Sequence, residues 1–275
     1  MLKRGFLRKG AAFIILILLW IACGPPGLAS SEDALWPKAA GAAVQSDGKL
    51  EVDSSGASTG YFMARVNQPG SRGFKLRVVA GDAQLTYDLN SDGNYECFPL
   101  QMGSGAYEIA LYENVKGTKY AAEGKLRLSV SLNREDAAFL VPNQYVNYEL
   151  FTSAVQKSDE LCAGASPSEC FRAVCDFMTS EFVYDFVRAQ TVSAGQLPDI
   201  DYCYDNRMGI CQDLSALMVC MLRVQGIPSR LVIGYADKYY HAWTTSVVEG
   251  RETFFDPTAE LGALKAKSYQ VERMY

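Results

Sequence analysis

The 275-residue chain contains a single histidine, His241, which follows Cys211 by thirty residues and precedes Asp256 by fifteen. A thiol, an imidazole and a carboxylate are the groups of a cysteine nucleophile, its general base and the carboxylate that orients the base. A lone histidine beside aromatic residues is more often a packed residue than a catalyst, so the surroundings of Cys211 decide the interpretation. If the chain performs acid–base chemistry near neutral pH, His241 has to carry it.

The residues around Cys211 predict that it begins a helix. Gly209 and Ile210 precede it, and Gly226-Ile227-Pro228 ends the pattern that follows. Four apolar residues share one face of that pattern: Leu214, Leu217, Met218 and Met221. At a helix N-terminus, unpaired N–H groups and the positive end of the dipole stabilise a thiolate. The alternative interpretation is a small buried cysteine after a turn glycine.

Three strand-like segments follow this helix, at residues 230–235, 241–247 and 252–256. His241 stands early in the second segment and Asp256 late in the third. Antiparallel neighbours would therefore place the two side chains close together, with the carboxylate holding the ring toward Cys211. This arrangement predicts a site without a cofactor and without a metal ion.

The N-terminus has the pattern of an export signal. Four basic residues precede an apolar run at 11–22, which is shorter than the roughly 20 residues that span a bilayer. The run ends at Cys23 in a sequence that resembles a lipoprotein signal, in which this cysteine would be lipidated. Alternatively, the small residues of Gly27-Leu28-Ala29 predict ordinary cleavage within a signal of residues 1–29. The position of Cys23 favours the lipid anchor, and both routes predict an extracytoplasmic protein.

The charge balance argues against nucleic acid as a partner. The formal charge is −5, and removal of residues 1–22 leaves 22 basic against 31 acidic residues. An acidic chain without a basic stripe lacks the electrostatic footprint of nucleic-acid binding. We therefore expect a protein or peptide substrate, with membrane attachment only through a lipidated Cys23.

Six of the eight cysteines lie outside the signal and the candidate site. They are Cys97, Cys162, Cys170, Cys175, Cys203 and Cys220. An even number in an exported protein predicts disulfides, and a Cys162–Cys203 pair is expected because both lie in loop-like stretches. The three cysteines in helical patterns, at positions 170, 175 and 220, are expected to be core residues. The absence of a C-x-x-C pair argues against structural zinc.

The chain divides into a β-rich part and a mixed part. Residues 30–47 are rich in alanine and glycine and predict a tether. Short β-type runs at 61–66, 74–79, 84–87, 95–100, 107–112 and 126–130 then predict a β-sandwich-like domain of about seven strands at 48–140.

Residues 88–93 resemble half of a calcium loop, but Pro99 occupies the position of the last ligand, so a hairpin turn is expected. Pro142-Asn143-Gln144-Tyr145-Val146 is expected to be the hinge into a second part at 141–275, where helical and strand periods alternate. Ser166-Pro167-Ser168-Glu169 has the pattern of a capping box and predicts the start of a helix there. The expected class is α+β.

Several motifs in the second part occur in a familiar order. They are Gly209-Ile210-Cys211-Gln212-Asp213, Leu222-Arg223-Val224-Gln225-Gly226-Ile227-Pro228-Ser229-Arg230, Gly234-Tyr235, His241-Ala242-Trp243 and Asp256-Pro257-Thr258. Together they resemble bacterial extracytoplasmic members of the transglutaminase-like superfamily over residues 184–260. The resemblance implies a papain-like core, in which a helix carries the nucleophile and an antiparallel sheet carries the other two groups. It implies that Cys211 is the nucleophile, His241 the general base and acid, and Asp256 the residue that orients His241.

Two functions are expected from this reading. The first is a secreted or lipid-anchored thiol acyl-transfer enzyme that acts on protein or peptide amides through a thioester. An amine acceptor would give a crosslink, and water would give deamidation or peptide cleavage. The alternative is a non-catalytic extracellular module that binds cell-wall glycan or protein on the same scaffold. The complete set of three catalytic residue types favours the enzyme.

Overall fold

The computed structural model describes residues 30–275. The predicted signal segment, with Cys23 and the cleavage site at Ala29, lies outside the described residues. No helix within the described range is long and apolar enough to cross a membrane.

Eight strands in the N-terminal part form two four-stranded antiparallel sheets. They are β1 (Val44–Asp47), β2 (Leu50–Asp53), β3 (Tyr61–Val66), β4 (Phe74–Ala80), β5 (Ala83–Leu89), β6 (Glu96–Pro99), β7 (Gly105–Lys116) and β8 (Lys119–Val130), with short 3-10 helices at Ala57–Thr59 and Ala137–Leu140. The strand orders are β1-β2-β3-β6 and β5-β4-β7-β8. Tyr87 of one sheet packs edge to face on Phe98 of the other, with ring centroids 5.3 Å apart. The predicted sandwich is therefore present, with eight strands.

The segment predicted as a tether is packed against the rest of the chain. Its last four residues form β1, which pairs with β2. Ser31 is buried and its backbone N–H donates to Asp159 at 2.9 Å, while the ring of Trp36 packs edge-on against Tyr148 at 5.9 Å. Alanine and glycine dominate the composition of this segment, but Ser31 and Trp36 make the contacts that bind it to the rest of the chain.

The prediction of a hairpin turn at Asp92-Gly93 is wrong. The strand before it, β5, pairs with β4, and the strand after it, β6, pairs with β3 in the other sheet. The connection therefore crosses between the sheets. A local turn is present, since Asp92 accepts the Asn94 N–H at 2.8 Å, but Tyr87 and Phe98 on either side both enter the shared core. Among residues 30–275, no group of three or more acidic, histidine or cysteine side chains is arranged to hold a metal ion.

The C-terminal part combines six helices with a four-stranded antiparallel sheet of order β13-β12-β11-β14. Its elements are α1 (Ser153–Cys162), α2 (Pro167–Glu181), β9 (Val183–Tyr184), α3 (Phe186–Thr191), α4 (Ile200–Asn206), β10 (Met208–Gly209), α5 (Cys211–Arg223), β11 (Ser229–Ala236), β12 (Tyr239–Val248), β13 (Arg251–Phe255), α6 (Pro257–Glu260) and β14 (Tyr269–Met274). The predicted α+β class and papain-like core are confirmed. The capping box of α2 is confirmed as well, since Glu169 donates its N–H to the Ser166 hydroxyl at 3.3 Å and accepts the Ser166 N–H at 2.8 Å.

One continuous cluster of buried apolar residues runs through both parts of the chain. It includes Leu50 and Phe62 of the sandwich as well as Leu217 and Met218 of α5. The two predicted domains, 48–140 and 141–275, therefore share a core, and the boundary between them stays a prediction.

The disulfide lies elsewhere than expected. Cys162 pairs with Cys170, and the Cα atoms of the two residues are 4.7 Å apart. Cys203, the partner predicted from sequence, is a buried free thiol in α4. The short turn between α1 and α2 places the last residue of α1 beside the first turn of α2. A cysteine in a helical pattern can therefore pair when two helices meet at their ends.

Helix α5 lies at the centre of the C-terminal part and is buried from Asp213 to Arg223. Arg223 is 1% exposed and donates to three backbone carbonyls. They belong to Ser229 at 2.8 Å, Val141 at 2.6 Å and Tyr275 at 2.8 Å. Burial lowers the pKa of Arg223 to about 10, so the side chain stays charged at neutral pH. One guanidinium therefore joins the end of α5 to the start of β11, the end of β14 and the junction with the sandwich.

Replacement of Arg223 tests this role. Arg223→Met fills a similar volume but leaves the buried carbonyls of Ser229 and Val141 without this donor, and that of Tyr275 with only the Leu231 N–H. We expect this loss to lower the free energy of unfolding by about 3 kcal/mol. Urea unfolding measures the change. Arg127→Met is the control, because that side chain is 81% exposed and lies 3.7 Å from its carboxylate partner. Equal midpoints for the two variants would contradict the role of Arg223.

Candidate active site

Cys211 is the first residue of α5, as predicted, and is partly exposed. The turn in front of it is held by Asp213, whose carboxylate is fully buried. Asp213 accepts the backbone N–H of Ile210 at 3.1 Å and that of Asp199 at 3.0 Å, and the Arg188 guanidinium lies 3.4 Å away. Burial raises the pKa of Asp213, although these three partners favour the ionised carboxylate. Asp213 thus acts as a buried anchor for the nucleophile's turn.

Glycine is required at position 209 by close packing. A Cβ atom there would lie 2.8 Å from the Cys203 sulfur and 2.9 Å from the Asp213 Cβ atom. The backbone just before Cys211 can therefore approach α4 and α5 closely. Gly209, which the sequence indicated only as a turn residue, thus allows the N-terminus of α5 to pack closely against α4.

His241 and Asp256 meet as the strand pattern predicted. Strands β12 and β13 are antiparallel, and Phe255, the last residue of β13, pairs with Thr244. His241 Nε2 lies 2.9 Å from the Asp256 carboxylate, and the two side chains are 5% and 2% exposed. The contact engages Nε2, so the second ring nitrogen, Nδ1, is left for the Cys211 side of the ring.

Both carboxylate oxygens of Asp256 have two hydrogen-bond partners. Oδ1 accepts the backbone N–H groups of Thr258 and Ala259 and so caps α6, at 3.0 and 3.2 Å. Oδ2 accepts from His241 and from the Tyr269 hydroxyl, at 2.9 and 2.8 Å. Asp256 is therefore held in one orientation from two sides, and the direction of the imidazole follows from it.

Tyr269 is a site residue that the sequence did not reveal. It lies in β14, whose side chains are mostly exposed and give no core-facing periodicity. The strand reaches the site because Gly234 of β11 has no side chain: a Cβ atom there would lie 2.0 Å from the Gln270 carbonyl oxygen. A register shift in the β11–β14 pairing occurs at the same position. Gly234 belongs to the Gly234-Tyr235 motif of the sequence. Its lack of a side chain is therefore the one local feature of the sequence that indicates the approach of β14 to β11.

The pKa of His241 reflects two opposing effects. Burial alone lowers it, but the hydrogen bond to Asp256 and the neighbouring Cys211 outweigh burial and raise it to about 9. A ring with this pKa carries a proton over most of the neutral range. The thiol, the ring and the carboxylate therefore lie together, which is the arrangement that a thiolate–imidazolium pair requires.

Two cavities meet at Cys211 and His241. The larger, of about 440 Å³, is lined further by Tyr184, Tyr239, Thr258 and Lys265. The smaller, of about 150 Å³, is lined by Tyr145, Gln196, Gln212 and Arg273. Tyr240 borders both. A third cavity of about 770 Å³ between the sandwich and the C-terminal part contains none of the three candidate residues, so the candidate site opens only into the two smaller cavities among these three.

Tyr184 is a second site residue that sequence reasoning missed. The short parallel pair β9–β10 places it opposite Gly209, two residues before the nucleophile. Tyr184 and Cys211 line the same cavity. Burial, followed by the charge on Cys211, raises the pKa of Tyr184 to about 12, and the Cys211 backbone N–H near the phenolic oxygen acts against this rise. Tyr184 therefore keeps its proton and has a hydroxyl to donate beside the nucleophile.

Comparison with known proteins agrees with this geometry. The sequence profile of the transglutaminase-like superfamily matches residues 156–256, a range that includes Cys211, His241 and Asp256. Residues 156–256 are therefore the part of the chain that is similar to this superfamily. The match begins within α1 and ends at Asp256, so it leaves out the sandwich, α6 and β14. A comparison with curated proteins found no match.

Three solved structures are similar to the chain. One is a candidate cysteine protease from Cytophaga hutchinsonii, 13% identical over 78% of this chain and 91% of that one, with a TM-score of 0.38. The second is the periplasmic domain of TgpA from Pseudomonas aeruginosa, 18% identical over 71% and 92%, with a TM-score of 0.36. The third is red sea bream transglutaminase, 12% identical over 72% and 48%, with a TM-score of 0.31. Scores this low carry no argument about activity.

The pKa of His241 predicts how Asp256 contributes to stability. The charged ring's contribution is complete below about 6.5, its ordinary pKa, and is lost as the pH rises through about 9. Asp256→Asn retains an oxygen to cap α6 but cannot hold the charged ring. We expect the difference in unfolding free energy between wild type and Asp256→Asn to be largest below about pH 6.5, on the order of 3 kcal/mol, and to shrink toward about pH 10.

Urea unfolding at several pH values measures this difference. Asp176→Asn is the control, because Asp176 is an exposed carboxylate on α2. A gap that stays constant with pH, or that grows as the pH rises, would show that Asp256 does not stabilise a charged ring.

Proposed function

We propose that the chain is an exported thiol acyl-transfer enzyme that acts on protein or peptide amides. The observation that carries the proposal is the 2.9 Å contact between His241 and the buried Asp256, with Cys211 beside the ring at the start of α5. In this proposal Cys211 is the nucleophile, His241 is the general base and acid, and Asp256 is the positioning residue. A purely structural cluster would not need a partly exposed thiol at the meeting point of two cavities.

The reaction follows from the roles of the three groups. The Cys211 thiolate attacks the amide carbonyl carbon and forms a tetrahedral intermediate. His241 gives its proton to the departing amine as the carbon–nitrogen bond breaks, which leaves a thioester on Cys211. The neutral ring then takes a proton from the acceptor, water or an amine, whose attack on the thioester releases Cys211. Water yields a carboxylic acid, and an amine yields a new amide.

The negative oxygen of the tetrahedral intermediate needs donors that are already in place. The backbone N–H of Cys211 is one, and the Tyr184 hydroxyl beside it is the second. A carbonyl oxygen that enters between them replaces the contact of the Cys211 N–H with the Tyr184 oxygen and accepts from both groups. Donors fixed in this way stabilise the transition state more than the bound substrate.

The location of the protein is part of the same proposal. The N-terminal pattern supports export, with a lipid on Cys23 or cleavage after Ala29. The Cys162–Cys170 disulfide supports export as well, because disulfides persist in oxidising compartments. A protein or peptide of the cell envelope would then be the substrate.

Alkylation of Cys211 tests the thiolate–imidazole pair. We expect iodoacetamide to label Cys211 of the mature protein rapidly at about pH 6, where ordinary thiols react slowly. His241→Ala should slow the labelling at that pH by at least about tenfold, because the thiolate loses its counter-ion. Peptide mass spectrometry reads the labelled site, and Cys175 in α2, a partly buried free thiol, is the internal control.

Slow labelling with the same pH profile in wild type and His241→Ala would contradict the proposal. In the supporting case, peptide-cleavage and amine-incorporation screens identify a substrate. Cys211→Ala must then abolish turnover, and Asp256→Asn should lower it by about a thousandfold, because an asparagine amide favours the wrong tautomer of the ring.

Tyr184 is tested by a contrast between two reactions at the same sulfur. Tyr184→Phe should lower kcat for amide turnover by about a hundredfold, because one oxyanion donor is lost. Alkylation by iodoacetamide passes through no oxyanion, so its rate should change little. A variant that slows both reactions equally would show that Tyr184 only supports the fold of the site.

A further inference from the structure

Both cavities at the candidate nucleophile carry a basic side chain and no acidic one among the described residues. Arg273 lines the smaller cavity and Lys265 lines the larger. The protein as a whole is acidic, with a formal charge of −5. A surface of that net charge repels anions at long range, so local cations have to supply any attraction for them. The chain thus places positive charge on both sides of Cys211.

Arg273 is the better positioned of the two cations. It lies on β14 opposite Ile233 of β11, and its guanidinium donates to the Tyr240 hydroxyl at 2.7 Å. Arg273, Tyr240 and His241 line the same small cavity, so the guanidinium held by Tyr240 borders the space that the imidazole also borders. Lys265 is exposed, in the segment between α6 and β14. The hydrogen bonds of Arg273 to Tyr240 and Glu272 both use Nη2, and a guanidinium has further N–H donors on Nη1 and Nε for a ligand.

The charge of Arg273 is not cancelled by its neighbour. Glu272 lies 3.5 Å away, and the two side chains are 48% and 43% exposed. An ion pair this open to water is weak, because solvent screens it and both side chains stay mobile. The Glu272 carboxylate is also absent from the lining of the smaller cavity, whereas Arg273 is part of it.

We propose that the acyl donor is an acidic peptide, whose carboxylate near the reacting amide is bound by Arg273 in the smaller cavity. The inference rests on the proposed function, since it names the substrate class of the same site. A planar guanidinium matches a carboxylate in a two-point contact, which a lysine cannot reproduce. The cavity, of about 150 Å³, suits a single side chain of the size of aspartate or glutamate.

A pair of small alkylating reagents tests the inference without a known substrate. Iodoacetate and iodoacetamide form the same bond to the Cys211 sulfur and expel the same iodide, but only iodoacetate carries a carboxylate. The ratio of their second-order rate constants therefore measures attraction for an anion at the nucleophile. We expect Arg273→Gln to lower this ratio by about fivefold, the effect of one partly screened ion pair.

Two matched variants locate the effect. Lys267→Gln removes one positive charge from a residue that lines neither cavity, and should leave the ratio unchanged. Arg273→Lys keeps the charge without the planar fork, and should retain a ratio above that of Arg273→Gln. Melting temperatures of all variants check that the fold is intact.

Three results would overturn the inference: an unchanged ratio in Arg273→Gln, an equal slowing of both reagents, or a ratio that falls in Lys265→Gln instead. The last would assign the carboxylate to the larger cavity. The proposed function fails separately, when iodoacetamide labelling shows no dependence on His241. Once a substrate is found, peptides that differ only by glutamate or glutamine beside the reacting amide should differ in KM in wild type, and not in Arg273→Gln.

Discussion

The site depends on the placement of one buried helix, α5, whose two ends are held by buried charges. Asp213 at the first turn is bound by two backbone N–H groups and Arg188, and Arg223 at the last turn is bound by three backbone carbonyls. A buried charge is tolerated only when its hydrogen-bonding groups are satisfied, so each one requires its partners to lie in defined positions. The helix that presents Cys211 therefore cannot rotate or shift without loss of these contacts.

Asp256 is a buried carboxylate that fixes elements around the sheet, as Asp213 and Arg223 fix the ends of α5. Its four hydrogen bonds join α6, β12 and β14 at one carboxylate. The residue that orients His241 is also the cap of a helix and the partner of Tyr269. Orientation of the imidazole is thus coupled to the fold of the segments that follow Asp256, which lie beyond the region matched by the superfamily profile. Those segments also carry Lys265 and Arg273, so the part of the chain outside the match supplies the charges around the site.

The sandwich contributes to the site indirectly, through an aromatic cluster. Tyr145, within the predicted hinge, stacks on Tyr275 with ring centroids 3.6 Å apart and lines the smaller cavity. Tyr87 of the sandwich packs edge-on against both rings. One wall of the smaller cavity therefore packs against the N-terminal part of the chain. These contacts require the sandwich to pack directly against the C-terminal part of the chain.

The sequence by itself determined which residues could do chemistry and on which kind of element each stands. Cys211 begins a helix, His241 lies on a strand, and Asp256 directly follows the antiparallel neighbour of that strand. These placements could be read from the sequence because helix boundaries and the pairing of consecutive strands are local properties. Only the tertiary structure decided the partners that are distant in sequence. Tyr184 and Tyr269 reach the site through a two-residue strand pair and a mostly exposed strand, neither of which has a periodicity to reveal it. The disulfide partner of Cys162 and the crossing between the sheets were decided in the same way. Local patterns specify where an element begins and which face it buries, but the fold of the whole chain selects what packs against that face.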